Sequence, residues 1–87
     1  MDIAYSKGFI KSAKLAPKPI QNKLADSLEV LKHDLFHPAL HTKPLSGNLK
    51  GFYSFRITRD WRVIFSFMGN PRMIFLIDVV HRKDIYR

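Results

Sequence analysis

Between Pro19 and Pro38 the apolar residues recur at helical spacing, and beyond Gly51 they recur at every second position. That change of period dictates helix first and sheet second. Ile20, Leu24, Leu28, Leu31 and Leu35 fall at i, i+4, i+8, i+11 and i+15, one stripe on a helix of about four turns that Pro38 stops. Phe52–Thr58, Trp61–Met68 and Met73–Val80 read as strands, with Gly69-Asn70-Pro71 as turn chemistry between the last two. Upstream, Ile3 and Tyr5 alternate with Asp2, Ala4 and Ser6 as a short first strand. Lys7–Leu15 reads as a helix capped by Ser6, with Phe9, Ile10 and Ala13 inward. Pro17 and Pro19 separate it from the second helix, and Pro19 suits that helix's first turn. His37–Lys50 reads as a loop. The expected order is β-α-α-β-β-β, an α+β fold with an N-terminal helical hairpin packed on a mainly antiparallel four-stranded sheet. The far face of that sheet is expected to be at least partly open to solvent. Residues 1–87 make a single domain.

A domain of 87 residues must build a dense core, and a composition 46% hydrophobic with seven Phe allows one. There is no cysteine, which excludes disulfides, thiolate catalysis and Cys-based zinc sites. His33 and His37 stand four apart without an accompanying acid motif, so no metal and no cofactor are expected. No glycine-rich phosphate loop is present. The longest apolar run, Met73–Ile77, is too short to span a bilayer, and the opening residues lack a signal-peptide pattern. A cytoplasmic protein without membrane partners is expected. The net charge of +8 and pI near 10.1 favour polyanionic partners such as nucleic acid.

The cations are partitioned. All six arginines, Arg56, Arg59, Arg62, Arg72, Arg82 and Arg87, fall in the last 32 residues, whereas eight of nine lysines come earlier. Arginine is a planar fork that holds phosphate bidentately and keeps its proton. Alternation assigns Tyr53, Phe55, Ile57, Trp61, Val63, Phe65, Phe67, Phe75, Ile77 and Val79 to the core face. Ser54, Arg56, Arg62, Ile64, Ile74, Leu76, Asp78 and Val80 fall on the other. A two-residue turn at Arg59-Asp60 would put Arg56 beside Val63. An odd-length turn or a bulge pairs Arg56 with Arg62 and keeps the apolar sets together. Phe65 opposite Ile77 and Ile64 opposite Asp78 satisfies both faces across the next turn. Arg56, Arg62 and Asp78 then converge, and Arg82 joins them if the strand continues. Asp78 either neutralises Arg62 or leaves it for an anion.

The segment PLSGNLKGFYSFRITRDWRVIFSF, followed by MIFLIDVVHRKDIYR, resembles the RelE/ParE toxin superfamily of bacterial toxin–antitoxin systems. The resemblance lies in a Leu-x-Gly loop, a strand, an aromatic-Arg pair opening the next strand, and a last strand closing on His-Arg-x-Asp-x-aromatic. It covers essentially the whole chain. It implies a toxin held inactive by a cognate antitoxin, with operator DNA bound only through that partner. RelE-like members cut messenger RNA, mostly on the ribosome. ParE-like members poison DNA gyrase, and some members are inactive. Arg82 and Tyr86 are similar to the C-terminal Arg and Tyr of the nucleases, and Arg62 to their mid-strand arginine. Asp60-Trp61 and the LxGxxKG spacing are closer to the YafQ-like branch. This chain departs from that branch by carrying Lys43, Arg56 and Arg82 where it has histidines. Ser54 stands about where RelE has a lysine.

The implied chemistry is metal-independent RNA cleavage that leaves 2′,3′-cyclic phosphate and 5′-hydroxyl ends. It needs a base for the ribose 2′-OH, cations for the pentacoordinate phosphate and an acid for the leaving oxygen. Arg62 and Arg82 suit the charge role, and Tyr86 can stack on a base or exchange a proton. Lys43, Arg56, His81 and Lys83 are the expected RNA contacts. His81 has the right pKa range, but alternation aims it away from Arg82. Trp61 reads as core. An inactive RNA- or ribosome-binding module is the remaining alternative.

Overall fold

The computed structural model describes residues 1–86. Strand β1 (Ile3–Tyr5) leads into helices α1 (Lys7–Leu15) and α2 (Lys18–His33). Strands β2 (Lys43–Pro44), β3 (Tyr53–Arg56), β4 (Trp61–Met68) and β5 (Met73–His81) follow. Short 3-10 turns occupy Pro38–Leu40, Gly47–Leu49 and Arg82–Asp84. The sheet order is β1-β5-β4-β3-β2, with β1 parallel to β5 and every other pair antiparallel. This is the expected hairpin-on-sheet architecture with a fifth strand. β2 is two residues long and contains a proline, which an edge strand tolerates and which hides it from any alternation pattern.

The α1 serines explain how the hairpin is attached. Ser6 Oγ accepts the Phe9 N–H at 2.9 Å as the helix cap and donates to the Ile77 carbonyl at 3.0 Å. Ser12 Oγ accepts the Val79 N–H at 2.8 Å. β1 ends at Tyr5 opposite Leu76, so these two hydroxyls take over the edge of β5 where its backbone partner stops. Gly8 allows the approach: a Cβ there would meet the Ile77 carbonyl at 3.3 Å. The resulting buried face of α1 holds Phe9 and Ala16, while Ile10, expected inward, is 45% exposed. One step of about 100° carries Ile10 off a face already defined by Gly8, Phe9 and Ser12.

Helix α2 buries Leu24 and Leu31, with Ile20, Leu28 and Leu35 packed at the core margin. It ends at His33, before Leu35 and well before Pro38, with Asp34 accepting the Phe36 N–H at 3.0 Å. Gln21 of α2 donates to the Ala16 carbonyl at 2.9 Å and so satisfies the end of α1. Among the described residues no helix is long and apolar enough to cross a membrane.

The strand pairing corrects one expectation. Ile64 faces Asp78 as expected, but Phe65 faces Leu76, and Ile77 is an extra residue in a bulge. The core set of β5 is therefore Ile74, Leu76 and Val79, at 1%, 0% and 5% exposure, not Phe75, Ile77 and Val79. The run MIFLI is apolar on both faces, so alternation could not reveal the shift. These residues join Phe55, Val63 and Phe65 under the helices. The far face is covered in part. Leu45, Ile64 and Ile85 form a second buried cluster there, joined by Leu49, Phe52, Ile77 and Val80.

Replacing Ser12 by Ala leaves the Val79 N–H without its acceptor on a buried residue. The expected loss is about 1–3 kcal/mol in urea unfolding. Ser27→Ala, whose hydroxyl meets only its own helix at Lys23, should stay within about 0.5 kcal/mol. Equal losses in the two variants would refute the edge-satisfying role of Ser12.

Candidate functional site

Two rows of side chains cross the sheet on the face away from the helices. Lys43, Ser54, Ile64 and Asp78 form one, from β2 to β5. Arg56, Arg62 and Val80 form the next. Arg56 and Arg62 are direct cross-strand partners, as the odd-length turn required. In that turn the Ile57 and Thr58 N–H groups both donate to the Trp61 carbonyl, at 2.9 and 3.2 Å. Thr58 Oγ1 accepts the Asp60 and Trp61 N–H groups at 3.3 Å.

Arg62 feels this crowding. Partial burial, followed by the charges of Arg56 and Arg82, holds its pKa below the ordinary arginine value. Three guanidinium groups thus share one field, and none of them reaches Asp78. Among the described residues the ion pairs are Lys32–Glu29 and Arg82–Asp60. The reading in which Asp78 neutralises Arg62 is therefore corrected: the chain's counter-ion is Asp60, and it serves Arg82. Arg56 Nε is buried with no hydrogen-bond partner. The same residue borders a cleft of about 270 Å³ that opens towards Lys23 and Ser27 of α2.

Asp60 holds Arg82 twice. Its carbonyl accepts the Arg82 N–H at 2.7 Å, and its carboxylate forms an ion pair with Arg82 Nε at 3.2 Å. Sequence reasoning missed this clamp, although the signal was available. Arg62 lies opposite Val80, so two steps outward bring Asp60 level with Arg82.

Tyr86 occupies another corner. Buried Ile85 anchors the C-terminal turn on the sheet, and Tyr86, 62% exposed, projects beyond it. Its hydroxyl accepts the Ser46 N–H at 3.3 Å. Hydrogen bonding by Ser46 lowers the phenol's pKa, and the charge of Lys43 lowers it further. Ser54, between Lys43 and Ile64, is wholly buried with its hydroxyl unpartnered.

The remaining sequence candidates lie elsewhere. His81 faces the helix side, with its ring 5.4 Å from Trp61, and its Nδ1 accepts the Lys83 N–H at 3.3 Å. The fold therefore does not bring His81 to the arginine face. Lys83 is exposed on the 3-10 turn. Arg72 stacks over Phe67 at 4.3 Å, Arg59 is exposed in the β3–β4 turn, and Arg87 lies outside the described residues. Trp61 packs against the main core as expected. Among the described residues no three His, Asp or Glu side chains gather as a metal-binding group.

No family model and no curated protein sequence matches the chain. Solved structures do. YafQ from E. coli aligns with a TM-score of 0.79 at 23% identity, over 99% of this chain and 98% of that one. A YoeB/ParE toxin from Agrobacterium tumefaciens gives 0.75 at 19% identity, covering 94% and 99%. A chain of the RelB–RelE antitoxin–toxin complex from Methanococcus jannaschii gives 0.74 at 25% identity, covering 95% and 94%. The chain therefore has the fold of the RelE, ParE and YafQ toxins.

The electrostatics yield two expectations. Arg56→Met keeps an apolar stem and removes one of two facing like charges. It should raise stability by about 0.2–1 kcal/mol at low salt, with the gain shrinking as salt is added. Urea curves at two ionic strengths check this, and a variant less stable than wild type at low salt contradicts it. The Tyr86 phenol should ionise below the ordinary tyrosine value of about 10. The ultraviolet difference titration between wild type and Tyr86→Phe isolates it, and ionisation at or above that value counts against the Ser46 contact.

Proposed function

We propose that the chain is the toxin of a type II toxin–antitoxin pair and that it cuts messenger RNA without a metal, on the ribosome. The observation that carries this reading is the facing of Arg56 and Arg62, with which no carboxylate among the described residues pairs. Arg56 and Arg62 face each other, Arg82 adds to the same field, and Arg56 Nε has no partner within the chain. Like charges facing across a sheet are destabilising unless an anion joins them. A phosphodiester is that anion.

In the reaction, a base removes the proton of the ribose 2′-OH. The 2′-oxygen bonds to the adjacent phosphorus, the bond from phosphorus to the 5′-oxygen breaks, and an acid returns a proton to that oxygen. A 2′,3′-cyclic phosphate and a 5′-hydroxyl result. Arg62 and Arg82 stabilise the charge gained by the pentacoordinate phosphate, and Arg56 adds a further contact. Tyr86, with its proton loosened by Ser46 and Lys43, is the candidate for proton exchange at this face. Lys43 and Lys83 supply phosphate contacts from the rim, while His81 contacts RNA only from the helix side of the sheet.

An acidic antitoxin is the expected protein partner. The E. coli DinJ–YafQ and M. jannaschii RelB–RelE structures are toxin–antitoxin complexes of the same fold. A carboxylate presented to Arg62 and Arg82 would occupy the phosphate position.

A second reading, inhibition of DNA gyrase without nuclease chemistry, is favoured by one observation. The imidazole of His81 lies on the face opposite the arginines. Purified ribosomes programmed with message separate the two. Cyclic-phosphate ends on the RNA support cleavage, whereas intact RNA with gyrase-linked DNA breaks supports the alternative. Arg82→Ala should lower cleavage by about 10²–10³ and abolish growth arrest while the protein stays folded. Full toxicity of a well-expressed Arg82→Ala chain removes that residue from the site.

A further inference from the structure

The end of the sheet that carries Arg82 has a second chemical face. Trp61 of β4 pairs with His81 of β5, and just beyond the strand ends Arg82 donates its N–H to the Asp60 carbonyl, so the two pairs turn to opposite faces. Asp60 and Arg82 form the clamp beside the arginine field. Trp61 and His81 turn the other way and line a cleft of about 230 Å³ between the end of α1 and the C-terminal turn. Leu15 stands at this cleft with 76% of its surface exposed, a large apolar side chain left at a rim. Asp84 lines the cleft as well.

The lining has a recognisable chemistry. Trp61 offers a π-surface, and Leu15 and Val79 offer apolar walls. His81 accepts the Lys83 N–H at Nδ1, which leaves Nε2 as the donor nitrogen of its ring. A flat heteroaromatic ring with polar edges suits such a lining, because every nucleobase has a π-face for an indole and edge groups for hydrogen bonds. The cleft also sits one residue away from Arg82 along the chain. A strand whose phosphate rests on Arg82 need only turn over the sheet end for its next base to reach Trp61.

We infer that the Trp61–His81 cleft is a nucleobase subsite, taking the base of a nucleotide next to the phosphate held at Arg62 and Arg82. The inference rests on the RNA-cleaving reading for its place in the reaction, but the binding can be tested without cleavage. The chain has a single tryptophan, so its fluorescence reports this cleft alone. Nucleoside monophosphates, ribose 5-phosphate and inorganic phosphate are titrated against the purified chain, with thermal shift as the second readout.

Saturable change of Trp61 emission by a nucleoside monophosphate, absent with the two base-free phosphates, is the expected result. His81→Ala should weaken nucleotide binding roughly tenfold and leave the thermal shift from inorganic phosphate unchanged. Trp61→Leu should cost at least roughly tenfold by thermal shift. Because Trp61 also packs on the core, His81→Ala, at a partly exposed position, keeps the test valid if that variant does not fold. If all three compounds raise the melting temperature without moving the emission, the subsite is wrong and the arginine site stands. If none of them binds, both fail.

Discussion

The extra residue at Ile77 decides what this sheet presents to each side. Near the β4–β5 turn, Met73 and Phe75 pair with Met68 and Ser66, so the odd positions of β5 lie on the face away from the helices. Had that register continued, His81 would stand on the arginine face and Arg82 beneath the helices. The bulge reverses the parity. Asp78 now pairs with Ile64, Val80 with Arg62 and His81 with Trp61, which sends Arg82 towards Arg62. The bulge is held from outside the ladder. Ser6 accepts Phe9 and binds the Ile77 carbonyl, Ser12 takes the Val79 N–H, and Gly8 lets α1 lie against it. A helix that appears to serve only the core thus determines which cation meets which face.

Charge is then concentrated where the fold gains least from it. Arg56 and Arg62 repel across two strands, and among the described residues the carboxylate that pairs with the group is Asp60, which serves Arg82. Stability alone would favour neutral or opposite charges at these positions. The apolar cluster of Leu45, Ile64 and Ile85 offsets the strain by covering the neighbouring row. It also fixes the C-terminal turn that carries Tyr86. Conflict between local electrostatics and fold stability is the expected mark of a functional surface.

Much of the architecture was legible because its signals are local. The stripe from Ile20 to Leu31 specified α2, and Ser6 specified the start of α1. The facing of Arg56 and Arg62 followed from turn parity, since only an odd turn keeps Phe55 and Val63 on the same side. The illegible parts are non-local or lack contrast. MIFLI is apolar at every position, so the bulge left no trace in the pattern. β2 is too short, and too burdened by Pro44, to register as a strand. The roof formed by Leu45 and Ile85 joins residues far apart in the chain. For the site, the arginines were visible as residue types, but the partner of Arg82 was not, because Asp60 reads locally as an ordinary turn acid.

The exposure of the Asp60–Arg82 pair bears on how such a site works. Both side chains remain about half exposed, at 53% and 51%. A pair in that setting contributes about 0–1 kcal/mol, since water screens it and two mobile side chains must be held. That is enough to favour one rotamer of Arg82 and too little to compete with a phosphodiester bound by several cations. The backbone bond from Arg82 to the Asp60 carbonyl would survive the exchange, keeping the strand end fixed while the guanidinium changes partner. A buried carboxylate at the same place would have held Arg82 far more firmly, because breaking such a pair strands a charge out of water. Asp78, which sits beside the arginines without touching them, avoids that outcome. On the proposed RNA-cleaving reading, the weakness of the clamp would let the same arginine be pre-oriented in the free protein and available to an anion.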